Sequence, residues 1–174
     1  MFWLKFISKF IKILRAGESP SLIASGFTLG FVMGLTPFWT LQNMVLFLAA
    51  ILSKVNLASV FFALFLFSFV SYIFDPLFHH LGYFILAQVD ALKGVWTSFY
   101  NMPLIPFTRF NNTVVMGSLL TALTLAVPTY LLVKKGVTAY RESWAKKIEK
   151  SKVMKALKGN ILFRWYIKIR DLEW

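Results

Sequence analysis

Three stretches of the chain contain no charged side chain: residues 20 to 53, 55 to 74 and 110 to 133. The second and third have the roughly 20 residues that a helix needs to cross about 30 Å of hydrocarbon at 1.5 Å per residue. Hydrophobic residues occupy 58% of the 174 positions, which is more apolar surface than a soluble domain of this length ordinarily buries. The pattern predicts an all-α, polytopic helical membrane protein.

The charged residues gather at the two ends of the chain. Lysine and arginine number 19 against 7 aspartates and glutamates, and most of the excess lies in residues 1 to 15 and 134 to 174. By the positive-inside rule we expect both termini to be cytoplasmic and the number of crossings to be even. Because the basic runs flank apolar spans and contain no nucleic-acid-binding motif, we expect no nucleic-acid partner. The absence of cysteine excludes disulfides, zinc–thiolate sites and cysteine nucleophiles.

Both terminal segments have the composition of segments that bind a membrane surface. In residues 1 to 16, apolar and basic side chains fall on opposite faces of a helix, which predicts an amphipathic helix lying in the interface. Packing of the same apolar stripe on the protein's own cytoplasmic surface is the alternative. Residues 17 to 133 form the predicted membrane domain, and residues 134 to 174 form a basic cytoplasmic tail that binds either the membrane or a partner.

The first charge-free segment, 20 to 53, predicts a broken or re-entrant helical hairpin. Gly26, Gly30 and Gly34 lie on one helical face, where they allow close approach of the other arm or of a second copy in a homo-oligomer. A turn falls at Thr36 and Pro37, because proline cannot continue the helix and disfavours helical geometry in the residue before it. Two topologies remain open: two short spanning arms, or a re-entrant pair that returns to the cytoplasmic side.

The rest of the membrane domain is predicted from the same signals. We expect residues 55 to 74 to cross outward and Asp75-Pro76 to end that helix. Residues 75 to 112 then form an external interfacial segment, in which the apolar run from Leu77 to Val89 lies in the interface or folds back into the bundle. Residues 114 to 133 form the span that returns to the cytoplasm.

Three amides in or beside the apolar helices form the candidate polar notch: Gln42, Asn43 and Asn56. An unpaired amide is unfavourable in an apolar environment, so we expect these side chains to face other helices, the hairpin turn or a polar cavity. They serve either as interhelical hydrogen-bonding groups or as contacts to a ligand.

The predicted external face contains a few further polar side chains that could bind a ligand or cap a helix. Asp75 and His79 are four residues apart on one helical face, and Asn111 and Asn112 precede the last span, where an amide can cap a helix. Since the chain has two histidines, we expect no metal site. The sequence contains no motif that pairs a nucleophile with a base, so we expect no catalytic residue, no cofactor and no enzyme activity.

The pattern of these residues resembles the domain-of-unknown-function 2062 family, a family of small bacterial membrane domains. The resemblance covers residues 19 to about 90, and Asp75 stands where the family usually has asparagine. The stretch from Pro103 to Thr113 is similar to a subgroup with an additional C-terminal span. The matching motifs are Ser19-Pro20, Leu22-Ile23-Ala24, Gly26, Gly30, Gly34, Pro37-Phe38, Leu41-Gln42, Asn56 and Asp75-Pro76.

The resemblance implies a place in the bacterial inner membrane. It also implies a larger membrane-anchored envelope protein as partner, since relatives of the subgroup tend to be encoded beside one. Some relatives are fused to glycosyltransferase-like or acyltransferase-like domains, which implies lipid-linked envelope work. We therefore expect a non-enzymatic component of a lipid or envelope-precursor transport system that binds membrane phospholipid. The alternatives are a structural anchor or assembly subunit for the partner, and a membrane-bound lipid-modifying enzyme.

Overall fold

The computed structural model describes the backbone of residues 18 to 150 and the side chains of residues 18 to 143. Within these residues the protein is entirely helical, which confirms the predicted all-α class. The predicted interfacial helix of residues 1 to 16 and the tail beyond residue 150 lie outside the described residues. The described residues contain five α-helices, joined by turns and, on either side of α4, by longer segments with π- or 3-10-helical turns. The helices are α1 Pro20–Leu35, α2 Leu41–Leu52, α3 Leu57–Tyr83, α4 Lys93–Tyr100 and α5 Thr113–Lys150.

Local sequence determines both ends of α1. The hydroxyl of Ser19 accepts a hydrogen bond from the backbone N–H of Leu22 at 3.2 Å and caps the helix. Pro20 occupies the first helical position, where its missing N–H would have had no intrahelical partner. The helix ends at Leu35 because Thr36 precedes Pro37 and adopts an extended conformation, with φ −93° and ψ 148°.

α1 and α3 run parallel, with their backbones in close contact. The three glycines of α1 face backbone carbonyls of α3 and the residue before it: Gly26 faces Asn56, Gly30 faces Val60 and Gly34 faces Leu64. The glycines and the carbonyls both recur every four residues. A β-carbon at any of these glycines would overlap that backbone. Glycine therefore sets both the spacing and the register of the two helices.

α1 lies at the centre of the bundle. Nine of its 16 residues are buried, whereas α2 and α3 bury only a few residues each. One apolar cluster joins α1 to α3 and α5, and a second joins α1 to α2 and α3. The first contains Phe31, Val32, Leu35, Phe78 and Ala122, and the second contains Met33, Ala50 and Val60. The glycine-bearing arm of the hairpin is thus enclosed by the other long helices.

α3 does not end at Asp75-Pro76. The helix continues through Pro76 to Tyr83 and is followed by a π-helical turn over Phe84–Gln88. The prediction that this helix ends at Asp75-Pro76 is therefore wrong, and the first part of the run from Leu77 to Val89 belongs to the same helix. Proline removes one helical hydrogen bond, but the residues beyond it pack against α5, and this packing outweighs the local loss.

The second half of α3 packs antiparallel against the start of α5. Two glycines allow this contact, because a β-carbon at Gly82 would overlap the backbone of Thr113 and one at Gly117 would overlap the backbone of Phe78. α5 then runs without interruption past residue 133, where the tail was predicted to begin. The bundle belongs to a compact unit that ends at Val137, and residues 138 to 150 belong to a second unit.

In the part of the chain that the structure describes, two helices are long and apolar enough to cross a membrane: Leu57–Gln88 and Thr113–Ser143. Both extend beyond the predicted spans of residues 55 to 74 and 114 to 133. Only 17% and 28% of their apolar windows are buried inside the bundle, so neither resembles the core helix of a soluble protein. The two arms of the hairpin are shorter apolar helices of 16 and 12 residues.

Candidate functional site: a polar recess at the hairpin turn

The side chain of Asn43 holds the turn between α1 and α2. Its amide nitrogen donates to the backbone carbonyl oxygens of Met33, Thr36 and Pro37, at 3.2, 3.4 and 3.1 Å. Its amide oxygen accepts from the hydroxyl of Thr36 at 2.9 Å. Asn43 thus satisfies carbonyls that the end of α1 leaves without an intrahelical donor. Because both ends of this buried amide are bonded within the hairpin, the geometry favours a structural role for Asn43 over contact with a ligand.

Gln42, the neighbouring amide, has the opposite environment. Its side-chain nitrogen and oxygen are both shielded from solvent, and neither has a hydrogen-bond partner among the residues that the structure describes. Gln42 shares a helical face with Leu46, one turn further along α2, and Leu46 packs against both apolar clusters. The sequence could not separate these two adjacent amides, and the structure assigns them different surroundings.

Asn56 lies at the other end of the hairpin. Its side-chain oxygen caps α3 by accepting from the backbone N–H of Ser59 at 2.6 Å, and its side-chain nitrogen donates to the carboxylate of Glu18. Its backbone N–H donates to the carbonyl of Leu22 at 3.3 Å. Leu22 and Thr36 are about 21 Å apart along α1, so the three predicted notch residues are not brought together. This corrects the predicted notch: the polar site at the turn is built from other residues.

A recess of about 320 Å³ opens at the turn, between the end of α1, the middle of α3 and the first residues of α5. We call it the turn recess. Hydroxyl groups and one carboxyl group line it, together with apolar side chains. Its polar residues are Thr36, Ser68, Ser71, Tyr72 and Asp75. Among the described residues that line the recess there is no lysine, arginine or histidine, so the carboxyl group of Asp75 has no cationic counterpart in its walls.

Asp75 is half-buried and has few partners. One side-chain oxygen accepts from the hydroxyl of Ser71 at 3.4 Å, and the same hydroxyl lies 3.3 Å from the carbonyl oxygen of Leu35. Within residues 18 to 143, no lysine or arginine forms an ion pair with Asp75, and no cluster of three potential ligands could hold a metal ion. An ionisable residue within an apolar helix is a candidate functional residue.

Pro76 adds a second acceptor to this region. Proline has no backbone N–H, so it cannot donate to the carbonyl four residues earlier in the helix, which belongs to Tyr72. Tyr72 lines the turn recess. The Asp75-Pro76 pair therefore places a carboxyl group in the recess and removes the usual helical donor of the Tyr72 carbonyl oxygen one turn earlier.

Comparison with known proteins places the chain in a family. The family model described as "Uncharacterized protein conserved in bacteria (DUF2062)" matches residues 5 to 145. The chain belongs to the DUF2062 family. An uncharacterized protein of Treponema pallidum (strain Nichols) is 30% identical over 128 residues, which cover 74% of this chain and 78% of that relative. No solved structure matches the chain.

The DUF2062 match is wider than residues 19 to 90, on which the sequence resemblance rests. It extends through residue 145 and so includes α5 up to that point. The bundle that surrounds the turn recess, including the contribution of Val114 to its wall, thus lies within the family region.

The glycine face of this DUF2062 chain is already occupied. Gly26, Gly30 and Gly34 all contact the backbone of the segment leading into and forming α3. The sequence left open the return arm or a second copy for this face, and in the structure α3 of the same chain lies there instead of the return arm. Any partner helix must therefore use another surface.

The remaining predicted residues lie near the start of α5. The ring nitrogen Nδ1 of His79 lies 2.7 Å from the hydroxyl of Thr113. The side-chain oxygen of Asn112 accepts from the backbone N–H groups of residues 114 and 115 at 2.9 and 3.1 Å, and so caps α5. Asn111 is exposed and lines a separate pocket beside Trp96 and Tyr100. None of these three residues lines the turn recess.

Three residues of the recess were not predicted from the sequence: Ser68, Ser71 and Tyr72. A signal for them exists, because positions 68, 71, 72 and 75 follow the spacing of one helical face. Within a span read as uniformly apolar, this face carries three hydroxyl groups and a carboxyl group. The extension of α3 through Asp75 is what places the carboxyl group on that face.

Proposed function

We propose that this DUF2062 protein is a non-enzymatic inner-membrane component of a lipid or envelope-precursor handling system. In this proposal the turn recess receives the polar headgroup of a lipid. The observation that carries the proposal is the recess itself, where a carboxyl group and several hydroxyl groups gather beside long apolar helices that are mostly exposed. A small polar pocket in apolar surroundings suits a ligand with both characters.

The outer surface of the bundle supports a membrane setting. Large apolar side chains on α3 and α5 are exposed over several turns. They include Phe69, Ile73 and Leu77 on α3 and Leu123, Val127 and Leu131 on α5. A soluble monomer rarely exposes so continuous an apolar surface, whereas lipid chains are a suitable solvent for it.

The proposed orientation follows from the ends of the helices. Lys54 precedes α3, and Lys134 and Lys135 lie at the corresponding end of α5, so the positive-inside rule assigns this end to the cytoplasm. Both termini then face the cytoplasm. The opposite end, with the segment between α3 and α5, faces outward.

The depth of the hairpin turn fits this orientation. Ser71, which contacts the end of α1, lies about 21 Å along α3 from its start, and the level of Gly82, where α5 begins, is about 16 Å further. The turn thus lies in the outer half of the membrane rather than in water. Irregular backbone is tolerated at such depth where protein shields it, and the bonds from Asn43 provide that shielding.

A second candidate function is that of an assembly subunit for a larger membrane-anchored protein. The observation that favours it is the apolar groove on the outer face of α2, lined by Met44, Val45, Phe47, Leu48 and Ile51. The glycine face is covered by α3, so a partner's helix would bind here. Replacing Val45 with aspartate would then abolish recovery of the partner without altering lipid retention.

Retention of lipid by the purified full-length chain tests the leading proposal. The chain is extracted in mild detergent, and the bound lipid is measured by native mass spectrometry. We expect stoichiometric phospholipid on the wild type and its loss in Ser68→Trp, which fills the turn recess. The matched control is Ser53→Trp, because Ser53 is exposed at the other end of the hairpin. A wild-type chain that retains no phospholipid, or equal retention in both variants, contradicts lipid handling through the recess.

A further inference from the structure

The turn recess has the chemistry to select one class of lipid. We propose that it binds lipids with a primary ammonium headgroup, which donates hydrogen bonds to the Asp75 carboxylate and the Tyr72 carbonyl oxygen. One acyl chain of the same lipid lies in a neighbouring apolar cleft between α1, α3 and α5. This inference rests on the proposed lipid-handling function and names its substrate class.

The carboxylate of Asp75 favours a ligand with a positive charge. Asp75 is half-buried, and within the described residues its side chain has a single hydrogen bond, from the hydroxyl of Ser71 at 3.4 Å. The walls contain no cationic side chain. A carboxylate in such a place is stabilised by a cation that brings its own hydrogen-bond donors, and an ammonium group brings three. A phosphate or carboxylate in the recess would instead face Asp75 without a compensating charge.

The backbone at Pro76 explains why the ligand needs N–H donors in addition to a positive charge. The carbonyl of Tyr72 has lost its usual helical donor because Pro76 has no N–H. A polar group left unpaired in apolar surroundings is unfavourable. A primary ammonium group can donate to both this carbonyl and the carboxylate, whereas a trimethylammonium group carries the charge but no N–H.

The apolar cleft provides for the rest of the lipid. It has a volume of about 270 Å³ and is lined by three of the helices that also form the recess. Its walls include Phe31 and Leu35 of α1, Phe67 and Phe74 of α3, and Thr121 and Leu125 of α5. Thr121 is the one polar side chain among the lining residues, and its hydroxyl donates to the carbonyl oxygen of Gly117 at 2.8 Å. The cleft therefore presents hydrocarbon to an occupant.

The cleft and the recess lie side by side. Consecutive residues line one or the other: Leu35 lines the cleft and Thr36 the recess, and Phe74 lines the cleft and Asp75 the recess. On α5 the recess reaches Val114 and the cleft reaches Thr121, about 10 Å further along the helix. On α3 the two sites share the same levels, because the cleft reaches Leu77 and Phe78 beyond Asp75. On α5 the polar site is nearer the outer end and the apolar site is deeper, which is the order of headgroup and acyl chain in a membrane.

The experiment compares three lipids that differ only in the headgroup. Full-length protein in nanodiscs of neutral carrier lipid is titrated with phosphatidylethanolamine, phosphatidylcholine or phosphatidylglycerol of identical acyl chains, and binding is read by native mass spectrometry. We expect the wild type to prefer phosphatidylethanolamine over each of the others by about tenfold or more, the size of a charge-assisted hydrogen bond. Asp75→Asn should reduce this preference to less than about twofold.

The matched control is Asp90→Asn. Asp90 is an exposed carboxylate that pairs with Lys93, so the same chemical change there should leave the preference intact. If Asp75→Asn does not fold, Ser71→Ala gives a second measurement, because it removes the hydroxyl that orients the carboxyl group. Soluble glycerophosphoethanolamine tests the source of the ammonium group, and we expect it to compete poorly because it has no acyl chain.

The acyl part of the inference has its own pair of variants. Leu125→Trp fills the cleft and should lower binding of all three lipids equally. Leu123→Trp places the same side chain on an exposed position of α5 that does not line the cleft, and it should bind as the wild type does. Equal effects of the two variants would overturn the assignment of the cleft.

The outcomes separate this inference from the proposed function. Lipid binding without headgroup preference, or a preference that survives Asp75→Asn, overturns the inference and leaves lipid handling in place. Competition by glycerophosphoethanolamine as strong as that of the lipid overturns the acyl cleft. Absence of any lipid binding overturns both the inference and the proposed function.

Discussion

The backbone carbonyl of Val60 occupies the space that a side chain on Gly30 would need. The same relationship recurs one turn earlier and one turn later, so α1 and α3 touch along a continuous line of backbone. In a membrane, where the hydrophobic effect does not drive helices together, this contact and the packing it allows are the main source of association.

We expect Gly30→Ala to lower the free energy of unfolding by about 1–3 kcal/mol, because the new methyl group forces the two backbones apart. Gly136→Ala is the control, since a β-carbon there meets no atom within 4 Å. It should be neutral or stabilising by up to about 1 kcal/mol through helix propensity. The midpoint of thermal unfolding in mild detergent measures both. Equal midpoints for the two variants would show that the α1–α3 contact is not as close as described.

The adjacent amides of α2 should respond in opposite ways to the same substitution. Asn43→Leu leaves the carbonyls of the turn without their donor and should destabilise the protein by about 1–3 kcal/mol. Gln42→Leu removes two buried groups that have no partner in the described structure, so it should be neutral or stabilising. Thermal unfolding of the two variants side by side measures this difference. A destabilising Gln42→Leu would mean that its amide is bonded after all.

Replacement of Pro76 should separate stability from lipid selection. Pro76→Ala restores an N–H that can donate to the Tyr72 carbonyl, so we expect a gain in stability of up to about 3 kcal/mol. The same change should weaken the preference for phosphatidylethanolamine, because the carbonyl is no longer free. Pro128→Ala in α5 is the matched control and should alter stability alone. The prediction is contradicted if both variants keep the wild-type headgroup preference.

Single cysteines should establish the orientation of the hairpin, since the native chain has none. Thr36 is only 3% exposed, whereas Trp39, in the same turn, is 77% exposed and is the better labelling position. We expect a membrane-impermeant maleimide added to spheroplasts to label Asn111→Cys rapidly and Trp39→Cys more slowly, because the hairpin turn lies below the outer surface of the membrane. Ser53→Cys should react only after permeabilisation. Labelling of Trp39→Cys and Ser53→Cys from the same side would show a re-entrant hairpin that opens to the cytoplasm.

The helix ends that depend only on neighbouring residues in the sequence were predicted correctly. The cap at Ser19 and the break at Thr36-Pro37 follow from side-chain and backbone sterics alone. The same reasoning failed at Asp75-Pro76, because it could not include the packing of α5 on the helix beyond the proline. A proline is thus a reliable boundary only where no neighbouring helix supports the far side.

The candidate site could be predicted only in part from the sequence, because contacts between helices create it. Asn43 and Gln42 are one residue apart, and helical periodicity alone does not decide which of them faces the turn. The hydroxyl face of α3 was readable from spacing, but it becomes a site only when the turn of another helix lies against it. Ser71, with its contact to the carbonyl oxygen of Leu35, marks the point where the two elements meet.

The repeat of glycines against carbonyls restricts how the hairpin can move. Gly26, Gly30 and Gly34 are each four residues apart, and so are the carbonyls that they face. A slide of α1 along α3 by one residue would place larger side chains against the α3 backbone at every contact. A slide by four residues would again place glycine opposite a backbone carbonyl at two of the three contacts. Sliding of α1 along α3 would therefore advance in steps of four residues, about 6 Å at 1.5 Å per residue.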